Sequence, residues 1–276
     1  MRVPPCYSAV VAMPAPPAIE FDNIIKRFGD GEVVALDGIS LAVAAREFLV
    51  VVGPSGSGKT TLLRLINRLS VQSEGTVRFE GEDVRTIDPI ELRRRIGYVF
   101  QGVGLFPHMT VAENVAITPR LLGWDRQKRE ARADVLLELV RLLPVDYRNR
   151  FPRELSGGER QRVGVARAIA AEPRVVLMDE PFGALDPLTR DALTQDYRRL
   201  HDQLGLTTVM ITHDMLEAVL LADRIAVLHD GKLIEQGTPH QLMTAASTDY
   251  VRELMQMPRT QAARLRRLME QGEGEP

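Results

Sequence analysis

The sequence predicts an α/β fold, a parallel sheet interrupted by a mostly helical insertion, and three observations carry that prediction. The short apolar runs "RVVLMDE", "TTVMITH" and "RIAVLHD" suit strands buried on both faces. Helical stretches at 156–172, 187–204 and 214–222 separate them. Between about 90 and 160 the pattern changes to charged segments of helical period.

Taken in order, residues 19–52 read as strands. "AIEFDNI" and "LAVAAREFLVVV" are β-rich and turn-bounded, and Gly29, Asp30 and Gly31 form a loop between the earlier segments. A glycine-rich stretch, "GPSGSGKTT", follows at 53–61. Leu62, Leu63, Leu65, Ile66 and Leu69 then fall on one side of a helix. "GTVRFEG" reads as a further strand, and Asp88-Pro89 as a helix cap with proline at the first helical position. "PIELRRRI", "TVAENVAITPRLLG" and "RQKREARADVLLELVRLL" are the helical segments of the insertion. Asp230-Gly231 is a hairpin turn between "IAVLH" and "KLIEQG". Near the C-terminus "QAARLRRLMEQ" suits a short surface helix, ahead of a frayed "GEGEP".

The chain has 276 residues, 45% hydrophobic and 26% charged, a composition that can bury a proper core. Its 35 basic and 37 acidic residues leave a formal charge of −2, so no sequence-wide basic field is available to hold nucleic acid. One cysteine, Cys6, cannot make an internal disulfide or a zinc site, which fits a reducing compartment. No apolar run approaches the roughly 20 residues that span a bilayer. Prolines interrupt the apolar patch of residues 1–18, which reads as a disordered tail, with Met13 as an alternative start.

Gly53-x-x-x-x-Gly58-Lys59-Thr60 has the spacing of a P-loop between a strand and a helix. Gly53, Pro54, Ser55, Gly56, Ser57, Gly58, Lys59, Thr60 and Thr61 are therefore expected to wrap a triphosphate. Glycines let the backbone approach the anion, and the helix N-terminus faces it with about half a positive charge. Lys59 would reach the β- and γ-phosphates, and the Thr60 hydroxyl would bind Mg²⁺. "VVLMDE" at 175–180 ends in two carboxylates at the C-terminal edge of the sheet. Asp179 would hold Mg²⁺, and Glu180 would polarise the attacking water.

"LSGGERQRVGVARAI" at 155–169 opens a helix with Ser-x-x-Glu spacing. A capped helix accounts for Ser156 and Glu159, but not for Gly157 and Gly158, because glycine weakens a helix start. A phosphate approaching the backbone accounts for both glycines, which makes this a second anion cradle. One chain does not readily close both cradles on one nucleotide, whereas two copies facing head-to-tail do.

As a set these motifs resemble the ATP-binding subunits of ABC transporters, from about residue 19 to 245. The resemblance rests on "GPSGSGKTT", Gln101, "LSGGE", "VVLMDE", "ALD" at 184–186 and His213. Glu159 departs from the family's commonest LSGGQ signature. The resemblance implies a P-loop NTPase core with an antiparallel β subdomain and a helical subdomain near 90–160. It implies an ATPase domain over 19–250, with 1–18 and 251–276 as tails, and ATP and Mg²⁺ as ligands. Phe28 would stack on adenine, or else be an ordinary core phenylalanine. Gln101 would touch Mg²⁺ and link the core to the insertion. Asp186 would cross the dimer interface, or cap the helix after Pro187, or both. His213 would contact the γ-phosphate.

The implied partners are a second copy of the chain, integral membrane permease subunits and, indirectly, a substrate-binding protein, with no nucleic acid. The implied place is the cytoplasmic face of the cell membrane, as a peripheral subunit. Exposed Leu105 and Phe106 would lie near the groove that receives a permease helix, or else belong to a satellite core of the insertion. Within the family, "IGYVFQGVGLFPHMTVAENVAITPRLLGW" and "LMDEPFGALDPLTR" are similar to the quaternary-amine and osmoprotectant importers, which take up glycine betaine, choline or carnitine. Only about 30 residues follow position 245, too few for the regulatory domain pair that some of those importers append. Another cargo, an amino acid, sugar or anion, stays open. So does a soluble ABC ATPase acting on nucleic acid or ribosomes, although such proteins usually carry two cassettes or a long coiled coil.

Overall fold

Two sheets organise the chain, and alternation along one central strand joins them. The structure, a computed structural model, describes residues 16–183, 185–257 and 260. The chain begins with β1 (Ile19–Phe28), β2 (Val33–Val43), β3 (Phe48–Val52), α1 (Lys59–Ile66), β4 (Glu74–Phe79) and β5 (Glu82–Asp83). It continues with α2 (Pro89–Arg94), β6 (Ile96–Val99), α3 (Val111–Leu121), α4 (Arg126–Leu139), α5 (Pro144–Tyr147) and α6 (Gly157–Ile169). The last part holds β7 (Val175–Asp179), α7 (Pro187–Leu204), β8 (Thr207–Thr212), α8 (Met215–Leu221), β9 (Arg224–His229), β10 (Lys232–Gly237) and α9 (Pro239–Ala245).

A four-stranded sheet has the order β2-β1-β4-β5 and is antiparallel throughout. A six-stranded sheet has the order β10-β9-β3-β8-β7-β6, parallel except for the β9–β10 hairpin. In β3, Phe48, Val50 and Val52 join one apolar cluster with α6, α7 and α8, while Leu49 and Val51 join another with α1 and the antiparallel sheet. All five residues are buried, so β3 reads as a continuous apolar run rather than an alternating one. Each such side chain contributes about 1.5–3 kcal/mol by leaving water. No helix among the described residues is long and apolar enough to cross a membrane.

The local chemistry read in the sequence recurs in the caps. Asp88 accepts the backbone N–H groups of Ile90 and Glu91 at 2.9 and 3.0 Å, ahead of Pro89. Asp230 and Gly231 both have positive φ, 46° and 74°, as a two-residue hairpin turn of this kind requires.

Five details differ from expectation. β6 lies inside the 90–160 stretch yet pairs with β7, so the strand-free run of helices begins after it. Leu69 is exposed, because α1 ends at Ile66 and Arg68 turns the chain at a φ of 53°. Residues 251–257, expected as tail, are helical, and Val251 and Met255, one turn apart, are buried in the main cluster. Leu105 is half-buried against that cluster, whereas Phe106 is exposed. At the other end, Ala18 is buried and its N–H donates to the Val43 carbonyl at 2.8 Å, so order reaches into the expected 1–18 tail. Cys6, Met13 and the expected 262–271 helix lie outside the described residues.

Candidate nucleotide site

The loop after β3 is shaped by close approach. Gly58 stands at a φ of 97° at the start of α1, and a Cβ there would lie 2.4 Å from the Ala35 carbonyl oxygen. A Cβ on Gly53 would lie 2.1 Å from the Leu228 carbonyl oxygen. Both glycines are therefore fixed by the fold. Pro54, Ser55 and Gly56 are exposed, and Thr60 and Thr61 are half-buried. Ser57 is buried and its Oγ has no hydrogen-bond partner. Lys59 is only 6% exposed, and its Nζ donates to the carbonyls of Gly53 and Pro54, both at 2.8 Å. Burial holds its ammonium below the usual lysine range, while Glu180 and Asp179 pull it back up.

The acidic half arrives from β7. Asp179 is buried, and burial raises its carboxyl above the usual aspartate value against the lowering pull of Arg64. Thr60 Oγ1 donates to Asp179 Oδ1 at 3.4 Å, which joins the two residues expected at a metal. Glu180 follows at a φ of 44°, a left-handed conformation unusual for glutamate. Its backbone N–H is tied to the Ile211 carbonyl at 3.0 Å. Two side chains bracket its carboxylate. Gln101 Nε2 donates to Oε2 at 3.0 Å, and His213 Nδ1 lies 3.3 Å from Oε1. Lys59, Thr60, Gln101, Asp179, Glu180 and His213 thus gather at the C-terminal ends of β3, β6, β7 and β8.

The second group lies elsewhere. Among the described residues, no hydrogen bond or ion pair links Ser156, Gly157, Gly158, Glu159, Asp186 or Phe28 to the first group. Ser156 and Glu159 form the expected capping box at 3.3 and 2.7 Å. The Tyr147 hydroxyl donates to Glu159 Oε1 at 2.6 Å, and this bond holds the Glu159 carboxyl below its ordinary value. The added acid is thereby occupied. The two glycines separate. A Cβ on Gly158 would meet Thr189 Cγ2 at 2.4 Å, so packing against that side chain favours glycine there. Around Gly157 nothing lies within 4 Å, so packing does not explain it. Asp186 is exposed and accepts the Thr189 N–H at 3.0 Å, as the cap of α7. Phe28 is 45% exposed, which removes the core reading, and Lys26 Nζ sits 4.5 Å from its ring centroid.

Tyr147 and Tyr98 were not anticipated. Burial and the Asp179 carboxylate raise the Tyr98 phenol above its ordinary value, which puts a neutral donor beside the acidic pair. No periodic signal marks either tyrosine.

The donor set fits an anion and a hard divalent cation. Buried Lys59 and an unpartnered Ser57 hydroxyl line a backbone cradle at a helix start. Among the described residues no cluster of three or more His, Cys, Asp or Glu could hold a metal alone. A magnesium ion needs no such cage, since one or two protein oxygens plus phosphates hold it.

Comparison with known proteins agrees with this geometry. A family model for ABC transporters matches residues 36–183. The glycine betaine/carnitine/choline transport ATP-binding protein OpuCA of Bacillus subtilis (strain 168) is 47% identical over 237 residues, 86% of this chain and 62% of OpuCA. The glycine betaine uptake system ATP-binding protein YehX of Escherichia coli (strain K12) is 47% identical over 235 residues, 85% of this chain and 75% of YehX. The dimeric post-hydrolysis structure of the ATP-binding cassette MJ0796 bound to ADP and Pi superposes with a TM-score of 0.71 at 35% identity, over 80% of this chain and 98% of that one. The chain spans about three fifths of the length of OpuCA.

Proposed function

This chain belongs to the ABC transporter family, and from that premise we propose that it is the ATP-hydrolysing subunit of an importer. Two copies would close head-to-tail on two ATP molecules. The convergence of Gln101 and His213 on the Glu180 carboxylate, beside Lys59 and Asp179, carries this reading.

Each residue has a part. The P-loop amides and Lys59 hold the triphosphate. Thr60, Asp179 and Gln101 would hold Mg²⁺, whose charge would offset that of the phosphates. Glu180 orients and polarises the water, and His213 meets the γ-phosphate. Phosphoryl transfer requires positioning and charge neutralisation more than covalent chemistry. Phe28, exposed on the antiparallel sheet, would stack on the base. Ser156 and Gly157 would grip the γ-phosphate bound to the opposite copy, and Asp186 would reach across beside them. Release of that grip after hydrolysis is the switch.

The membrane passage would come from separate permease subunits fed by a substrate-binding protein, with this chain at the cytoplasmic face. A groove lined by Tyr98, Phe100, Phe106, Ile117 and Leu121 would receive a permease helix. The cargo would be a quaternary amine or related osmoprotectant, which the similarity to OpuCA and YehX supports. The test is Glu180→Gln. It should keep ATP affinity and lose turnover by at least about a hundredfold. Turnover near that of the wild type removes Glu180 from its role. Uptake of labelled glycine betaine by cells with and without the gene tests the cargo.

A further inference from the structure

We infer that Arg167 is a positioning residue that couples helix α6 to the loop carrying Gln101. The inference rests on the function proposed above and extends it to a residue outside the nucleotide cradle.

Arg167 stands in the last turn of α6 and is 7% exposed. Its Nη1 donates to the Gly104 carbonyl at 2.6 Å and its Nη2 to the Val103 carbonyl at 2.5 Å. No carboxylate among the described residues pairs with it, and burial alone lowers its guanidinium from the ordinary value. Burying a cation without an anion is costly. What arginine supplies here is a rigid planar fork whose two terminal nitrogens each take one carbonyl, where a lysine would offer a single ammonium on a flexible stem.

The loop it grips is strained. Val103 and Gly104 are both left-handed, at φ 58° and 57°. For a β-branched residue that conformation is an outlier, and it persists only where the surroundings enforce it. Part of that enforcement comes from the same helix. Gly164 lies one turn before Arg167, and a Cβ there would stand 2.8 Å from Val103 Cγ1. Helix α6 therefore touches the loop by packing at Gly164 and by hydrogen bonds at Arg167. Gln101, two residues before Val103, is the side chain that donates to Glu180.

The opposite end of α6 is Ser156 with Gly157, where the other copy's nucleotide would be gripped. Eleven residues separate Ser156 from Arg167, about 16 Å along a rigid helix. A displacement of the helix when the far nucleotide is gripped is thereby delivered to Gln101 and Glu180 of its own site. Each site would sense whether the other is filled.

The test uses the full chain and two variants. Arg167→Lys keeps the charge and loses the fork. Val103→Gly deletes the side chain that packs on Gly164, while glycine accepts the left-handed backbone, so the loop loses its packing contact with α6 at little cost in folded stability. Both should lower kcat about tenfold while KM for ATP stays within about twofold. Hydrogen exchange should accelerate at residues 101–104 and not across the chain. In a Gln101→Ala background the same substitutions should cost less than about twofold, because their effect runs through Gln101. Single-turnover hydrolysis followed over hours keeps slow variants measurable. Equal losses in both backgrounds would make Arg167 a general support, and kcat within about twofold of wild type in the Gln101 chain would remove the coupling. A wild-type chain without ATP turnover would instead defeat the parent function.

Discussion

Gly58→Ala isolates the cost of building the phosphate loop, because Gly56→Ala serves as its control. At Gly58 the backbone φ is 97°, and an added methyl would lie 2.4 Å from the Ala35 oxygen and 2.7 Å from Leu36 Cδ2. At Gly56 the φ is 81°, but no atom lies within 4 Å of the methyl position. Left-handed backbone costs an L-residue about 1–2 kcal/mol, and both variants incur it. Only Gly58→Ala adds steric overlap with the backbone of β2, about 1–3 kcal/mol by the measure of overpacked cores. The two variants should thus differ by about 1–3 kcal/mol, out of a total stability of about 5–15 kcal/mol. For a chain of this size that is about 2–12 °C between their midpoints. Equilibrium urea unfolding and thermal melts of the two purified proteins measure it. Equal losses, or a larger loss at Gly56, would refute the claim that close approach to β2 fixes Gly58.

Lys59→Met should weaken ATP binding about tenfold to a hundredfold, the value of a charged hydrogen-bond donor, as read by calorimetric titration; undiminished affinity removes the cradle assignment. Tyr147→Phe should cost about 1 kcal/mol in urea unfolding, since the bond to Glu159 is partly exposed to solvent. His201 is buried against Thr208 at 3.0 Å, and burial holds its imidazole below the ordinary histidine value. The unfolded chain therefore takes up this proton first as pH falls. Stability tied to His201 is present above about pH 6.5 and declines below it by up to about 1.4 kcal/mol per pH unit, until the folded value is passed. His201→Gln should flatten that slope, and an unchanged slope would show that another group is responsible.

What the sequence disclosed was local chemistry. Asp88, Ser156 and Asp186 were legible as caps because a cap and its helix lie within four residues. The buried parallel strands were legible because a strand covered on both faces must be apolar throughout. β6 was hidden because "IGYV" is four residues long and carries a glycine, so it blends into the helical stretch around it. Val251 and Met255 stand one helical turn apart, a signal that was present and was read as tail. Gln101 and Glu180 are 79 residues apart, and only family resemblance joined them. Arg167 was beyond reach altogether, since an arginine in a helix rich in arginines gives no sign that it is buried. Its partners are backbone carbonyls, which leave no trace in sequence.

The central claim is that one ATP is held between two copies, the P-loop of one and Ser156-Gly157 of the other. Light scattering of the Glu180→Gln protein tests it most directly, with ATP and Mg²⁺, with ADP, and after adding Ser156→Arg. The account predicts a dimer with ATP alone, and monomers with ADP or with arginine at 156. A protein that binds ATP tightly and stays monomeric, or that dimerises equally well with arginine at 156, would contradict it.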